Sequence, residues 1–302
     1  MFVGPNTPSV LKDGTWTDRY QINLKVYKGY LLPQSLKAVV YNFKDVQWAG
    51  DKLASFPETD PGIAKLPSIE CTTDQQCGSG NQGLMPNSLK SVGQFGVGPN
   101  AANDPYFNSG GIAVHEFTHA IQGAQYYNGD NLNDGNQDNN TLTPCWLTEG
   151  QPNYTATGTW KTLDEYRQGI QTMFIGHLTN YLKNHSPDSI NAIFQNSFPG
   201  EQCRAPFNQY GPQSPYQMSY SVGMFAVQIL AAIGGVDSTM ALETEMSRGL
   251  TFPEAFQAVY GISWSKGSYE ISQVISNQMD GLNIQPNFFM PGPTVAPDGT
   301  VS

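Results

Sequence analysis

The sequence predicts an α+β protein, with a β-rich N-terminal part over about residues 1–108 and a helical part over about residues 109–284. Three observations predict it. "QINLKVY" (21–27) alternates apolar and polar side chains, and "LKAVVYNF" (36–43) is an apolar, β-branched run bounded by charge, both of which read as strands. Between 44 and 108, Gly, Pro, Asn and Ser recur every few residues, which suits short strands joined by long loops. From residue 109 onward the apolar positions fall into a helical period instead.

Six segments carry that period: 109–127, 163–184, 215–235, 237–249, 252–261 and 268–282. Several carry end signals as well. Ser109 or Gly110 precedes the first, Asp237 is placed to cap the fourth, and Gly235, Gly249 and Gly261 are natural stops. The tail, "QPNFFMPGPTVAPDGTVS" (285–302), is rich in Pro and Gly and reads as a linker toward a further segment.

Composition narrows the function. At 302 residues the chain can build one sizeable core or two lobes around a cleft. Only 13% of residues are charged, the formal net charge is −10, and no basic run of five occurs, which argues against a nucleic-acid partner. No run of 18 apolar residues predicts a membrane span. The opening "MFVGPNTPSV" lacks the charged and apolar regions of a signal peptide, so the expectation is a secreted or cell-surface protein whose leader has been removed, or an excised domain of one. The four cysteines allow three pairings. We expect Cys71 with Cys77, closing "CTTDQQC", and Cys145 with Cys203; four buried thiols are the alternative. None has C-x-x-C spacing, which argues against a zinc ribbon. Asn139, Asn153 and Asn184 stand in N-x-S/T sequons.

The chemistry concentrates in "AVHEFTHAIQ" (113–122), which holds two of the four histidines. Residues four apart on a helix share a face, so His115 and His119 can offer two imidazole nitrogens to one metal ion. Zinc takes such ligands at about 2.0–2.1 Å. Glu116 is rotated about 100° around the axis, where a carboxylate can reach a water in the metal's open position and act as general base. A chance H-E-x-x-H is expected in on the order of a few per thousand shuffled sequences of this composition. A catalytic zinc needs a third protein ligand. Glu149, in "CWLTEGQPNYTA" (145–156), is the candidate, thirty residues after His119. The other two histidines, His177 and His185, have no partner motif and read as structural.

"HEFTH" followed by "WLTEGQPNY" resembles the gluzincin peptidases, the clan of thermolysin and the zinc aminopeptidases. The resemblance implies a zincin-like fold, with zinc held by His115, His119 and Glu149 in a cleft between a β-rich and a helical lobe. The gap between the two motifs is longer than in the family, the excess falling in the polar stretch 128–144. Its Asp130, Asp134 and Asp138 could hold Ca2+, but Leu132 stands where an EF-type loop needs an oxygen ligand; a solvated loop is the other reading. "MSYSVGMFAVQIL" (218–230) resembles the Y-x-x-G helix of the zinc aminopeptidases, which gives Tyr220 the role of stabilising an oxyanion. "GLMPN" (83–87) is similar to their amine-anchoring segment, with Pro86 in place of the glutamate. The resemblance as a whole implies a secreted zinc peptidase acting on a peptide or protein, endopeptidase favoured. An aminopeptidase of the same clan, or a non-catalytic zinc-containing surface or adhesion module, is the alternative.

Overall fold

Val39, Val40 and Tyr41 have no exposed surface on either side, as expected of an inner strand covered on both faces. In the computed structural model, which describes residues 1–8, 15–99, 105–127, 142–173, 185–196 and 215–284, they belong to β2 (Ser35–Tyr41) of a four-stranded mixed sheet. The other strands are β1 (Phe2–Val3), β3 (Ser79–Leu84) and β4 (Lys90–Gly96), and the order is β1-β2-β4-β3. The first three strands in that order run parallel. β3 is antiparallel to β4 and forms an edge of the sheet. Asp45 pins the N-terminal strand: its buried carboxylate accepts from the Asn6 backbone N–H at 2.9 Å and the Thr7 hydroxyl at 3.1 Å.

Helices cover both faces of this sheet, which corrects the expectation of a β-rich N-terminal part. Residues 21–27 lie not in a strand but mostly in α1 (Thr15–Val26). The alternating Ile22, Leu24 and Val26 are only partly buried, whereas Trp16, Tyr20, Asn23 and Tyr27, at helical spacing, are the buried set. The aromatic stripe outweighs the shorter aliphatic alternation. Two more helices, α2 (Val46–Ala54) and α3 (Pro61–Glu70), occupy the stretch expected to hold only short strands and loops. Asp60 caps α3 by accepting from the Gly62 N–H at 2.6 Å, and Pro61 sits where a missing N–H costs nothing. Ala49 and Leu53 of α2 pack on Val39, Tyr41 and Val92. On the opposite face, α1 and α5 (Gly111–Gln125) pack on Ala38, Val40 and Phe95. The Cys71–Cys77 disulfide joins α3 to β3.

The rest of the described chain is helical: α4 (Pro105–Asn108), α6 (Cys145–Ala156), α7 (Leu163–Met173), α8 (Pro187–Asn196), α9 (Pro215–Gly234), α10 (Ser238–Ser247), α11 (Phe252–Tyr260) and α12 (Trp264–Ile284). Trp146 anchors their shared core, stacked on Trp264 with ring centroids 5.4 Å apart and meeting Phe194 and Phe252 edge-on. Gly235, Gly249 and Gly261 take positive φ, as stops at helix ends require. Asp237 stands at the N-cap of α10 but makes no side-chain cap bond there. Cys145 is disulfide-bonded; Cys203, the partner expected for it, lies outside the described residues. So do His177, the Asn139 and Asn184 sequons, the aspartates of the proposed calcium loop and the tail 285–302. Among the described residues no single helix is long and apolar enough to cross a membrane.

α6 and α9 cross backbone against backbone. A β-carbon on Gly150 would lie 2.2 Å from the carbonyl carbon of Gly223, and one on Gly223 would lie 2.0 Å from the carbonyl oxygen of Trp146. Neither obstacle is a side chain that can swing away, so only glycine permits this approach. Gly223→Ala is therefore expected to cost about 3 kcal/mol, the scale of an overpacked core, read as a lower denaturant midpoint at unchanged slope.

Candidate metal centre

α5 turns His115 and His119 to one side, with ring centroids 5.0 Å apart. α6, held against it, presents Glu149 to both. The Glu149 Oε2 atom lies 3.5 Å from the Nε2 atom of each histidine, and the three ligand-capable atoms all lie within 4.8 Å of one another. Donors bound at 2.0–2.1 Å in tetrahedral directions stand roughly 3.3–3.4 Å apart, close to the two 3.5 Å spacings between Glu149 and the histidines. The Glu149 Oε2 atom is buried without a hydrogen-bond partner, a costly condition for a carboxylate oxygen unless a cation satisfies it. The residues present therefore fit a metal: two imidazoles and one carboxylate, as in catalytic zinc sites with an open fourth position.

Each histidine's second nitrogen is already committed. His115 Nδ1 lies 2.9 Å from Asn153 Oδ1, and His119 Nδ1 lies 3.0 Å from Gln122 Oε1. Neither amide stood out in the sequence. Gln122 falls three residues after His119 on a helix whose other positions read as core, and Asn153 reads in the sequence only as part of a sequon. With its side chain buried and donating to the Tyr220 carbonyl at 2.9 Å, Asn153 is not available as a glycosylation acceptor.

Glu116 is not one of these three but interacts with each of them. Its charge is felt by both histidines and Glu149, and its Cγ would be 3.1 Å from a β-carbon on Gly80 of β3. Glu116 thus stands between the histidine helix and the sheet edge. Tyr220 comes in from α9, its ring stacked on that of His115 at 5.9 Å and 9°. In the segment 83–87, Gly83 and Leu84 end β3, and Met85–Ser88 form the turn into β4, with Asn87 at φ 53°. Gly83 is three residues along the strand from Gly80, about 10 Å at the rise of a β-strand. The Nε2 atom of His185 pairs with Asp280 on α12 at 2.6 Å.

Burial shapes the electrostatics. Taking Glu116 out of water raises its pKa; the two histidine charges offset part of this, while Glu149 and Glu70 add to it. Burial would also raise Glu149, but the charge of His119 and the contacts with both imidazoles hold it well below the usual carboxylate range. Burial would lower His119, yet the Glu149 carboxylate beside it prevails and raises it to about 9.

Comparison with known protein families, with curated proteins and with solved structures finds no match for the chain. The site's chemistry rests on its own geometry.

A proton on His119 competes with a metal for the same nitrogen. Its folded value lies above the ordinary 6.5, so in metal-free protein the His119–Glu149 pair adds stability below pH 6.5 and loses it as pH rises through about 9. Titrating metal-free protein with Zn2+ at pH 7 is expected to release about one proton per ion, with apparent affinity rising about tenfold per pH unit up to pH about 9. Calorimetry in two buffers of different ionisation enthalpy measures the proton count.

Proposed function

We propose that the chain is a zinc-dependent peptidase of gluzincin type, secreted or at the cell surface, and an endopeptidase in preference to an aminopeptidase. Its catalytic domain would span residues 1–284, with lobes over about 1–108 and 109–284 and the zinc in a cleft between them; 285–302 would be a linker. The observation that carries this reading is the convergence of His115, His119 and Glu149 with Glu116 beside them at a sheet edge. A purely structural zinc site is closed by four protein ligands and has no use for a fifth, basic group.

His115, His119 and Glu149 would hold the ion. When bound, zinc supplies a Lewis acid for the scissile carbonyl and lowers the pKa of water at neutral pH. Glu116 takes a proton from the attacking water and passes it to the leaving amine, a task favoured by a carboxylate whose pKa is raised by burial. Tyr220, beside His115, donates its hydroxyl to the oxyanion that develops on the carbonyl. β3 pairs only with β4 among the described residues, which leaves an edge for an extended peptide to join through backbone hydrogen bonds. Gly80, without a side chain, lets that strand pass close to Glu116.

Cleavage profiling of a peptide library with blocked N-termini, beside a chelator-treated sample, tests the reading. Internal cuts that disappear with chelator are expected. Cuts restricted to free-amine peptides would make it an aminopeptidase, and no cleavage from zinc-loaded protein would leave a non-catalytic surface module. Glu116→Gln is expected to keep one zinc per chain while abolishing turnover. Tyr220→Phe should lower kcat about 10²–10³-fold with KM little changed.

A further inference from the structure

The two amides that meet the histidines have only one way round. The Gln122 Nε2 atom faces three acceptors: Gln151 Oε1 at 2.9 Å, the Thr148 carbonyl at 3.2 Å and the Leu147 carbonyl at 3.4 Å. Turned over, Gln122 would set an oxygen against three oxygens. Its Oε1 must therefore face His119, and an acceptor there requires that Nδ1 carry the proton. Asn153 repeats this logic. Its Nδ2 donates to the backbone carbonyl of Tyr220, so its Oδ1 faces His115 Nδ1 and again demands an N–H. In both imidazoles the remaining nitrogen, Nε2, is the one directed at Glu149.

The chain from His119 extends further, and every bond in it has the same sense. His119 donates to Gln122, Gln122 to Gln151, and Gln151 Nε2 to the Thr239 hydroxyl of α10 at 2.9 Å. Gln122 and Gln151 are each at most 1% exposed, so water has little access to compete for these bonds. Aligned donors polarise one another in such surroundings.

We propose that Gln122 and Asn153 are positioning residues that preset both histidines as Nε2 ligands before a metal arrives, their orientation dictated by carbonyls of α6 and α9, and that Gln151, itself bonded to Thr239 of α10, secures Gln122. The proposal rests on the zinc reading above. It makes the site ready for metal through neutral amides, with no added charge around the ion. A side chain that only packs would leave the ligands' tautomer, and hence the metal's surroundings, unchanged.

The test compares Q122M and N153L with Y126F, which removes a buried hydrogen bond to Glu243 that none of the three ligands shares. Zn2+ affinity by chelator competition and the visible spectrum of the Co2+-loaded protein are the readouts. Q122M and N153L are each expected to weaken Zn2+ binding by about 10–100-fold and to shift the Co2+ bands, as losing such a partner does elsewhere. Y126F should lower stability and leave both readouts at parent values. Parent affinity and spectrum in Q122M and N153L, or an equal loss in Y126F, would overturn the proposal. If one variant fails to fold, the other decides. A parent protein that binds neither Zn2+ nor Co2+ removes the zinc reading itself, a result distinct from any difference among variants.

Discussion

The contact between Gly150 and Gly223 is the constraint on which the rest of the site depends. It brings the backbones of α6 and α9 together where a single methyl group would force them apart. Each glycine is close in sequence to a residue of the candidate site: Gly150 follows Glu149, and Gly223 comes three residues after Tyr220. One crossing thus sets the third ligand-capable group, the tyrosine stacked on His115, and the carbonyl of Tyr220 that holds Asn153. The glycines of the "TEG" and "Y-x-x-G" stretches are packing residues whose effect is read out in the site geometry.

The second constraint is charge in a dry place. Two histidines and two glutamates crowd a largely buried volume, and an ion pair there is weak support for stability because desolvation offsets most of its attraction. The surroundings answer with amides and hydroxyls in place of further charges. Gln122, Gln151, Asn153 and Thr239 supply fixed dipoles, and Glu116 is left with burial as the main influence on its proton. The result is a group of two imidazoles and a carboxylate that could hold a metal ion.

The sheet serves this arrangement from the other side. α1 ties itself to the histidine helix through Asn23, which donates to the Val114 carbonyl at 3.0 Å and the Thr118 hydroxyl at 2.8 Å, and Tyr27 meets Thr155 of α6 at 2.6 Å. The stretch whose aliphatic alternation reads as a strand is thus the brace between the two elements that carry His115, His119 and Glu149. Its aliphatic alternation is real, but it belongs to partly buried positions, while the aromatic residues at helical spacing contribute more buried surface.

By itself the sequence determined what local geometry can encode. The four-residue spacing of His115 and His119 on a helix, the strand expected over 36–43 and found at 35–41, the glycine stops at 235, 249 and 261, and the short Cys71–Cys77 loop all depend on neighbours a few residues away, and all are legible. Glu149 was legible as a candidate through its motif, but its approach to the histidines was not. Only the tertiary structure decided that approach, together with the orientation of Gln122 and Asn153, the helical state of residues 15–26 and the place of Gly80 beside Glu116. These are contacts between residues roughly 25 to 90 apart in the chain, and a hydrogen bond or a close approach across such a distance leaves no periodic trace in the residues that make it.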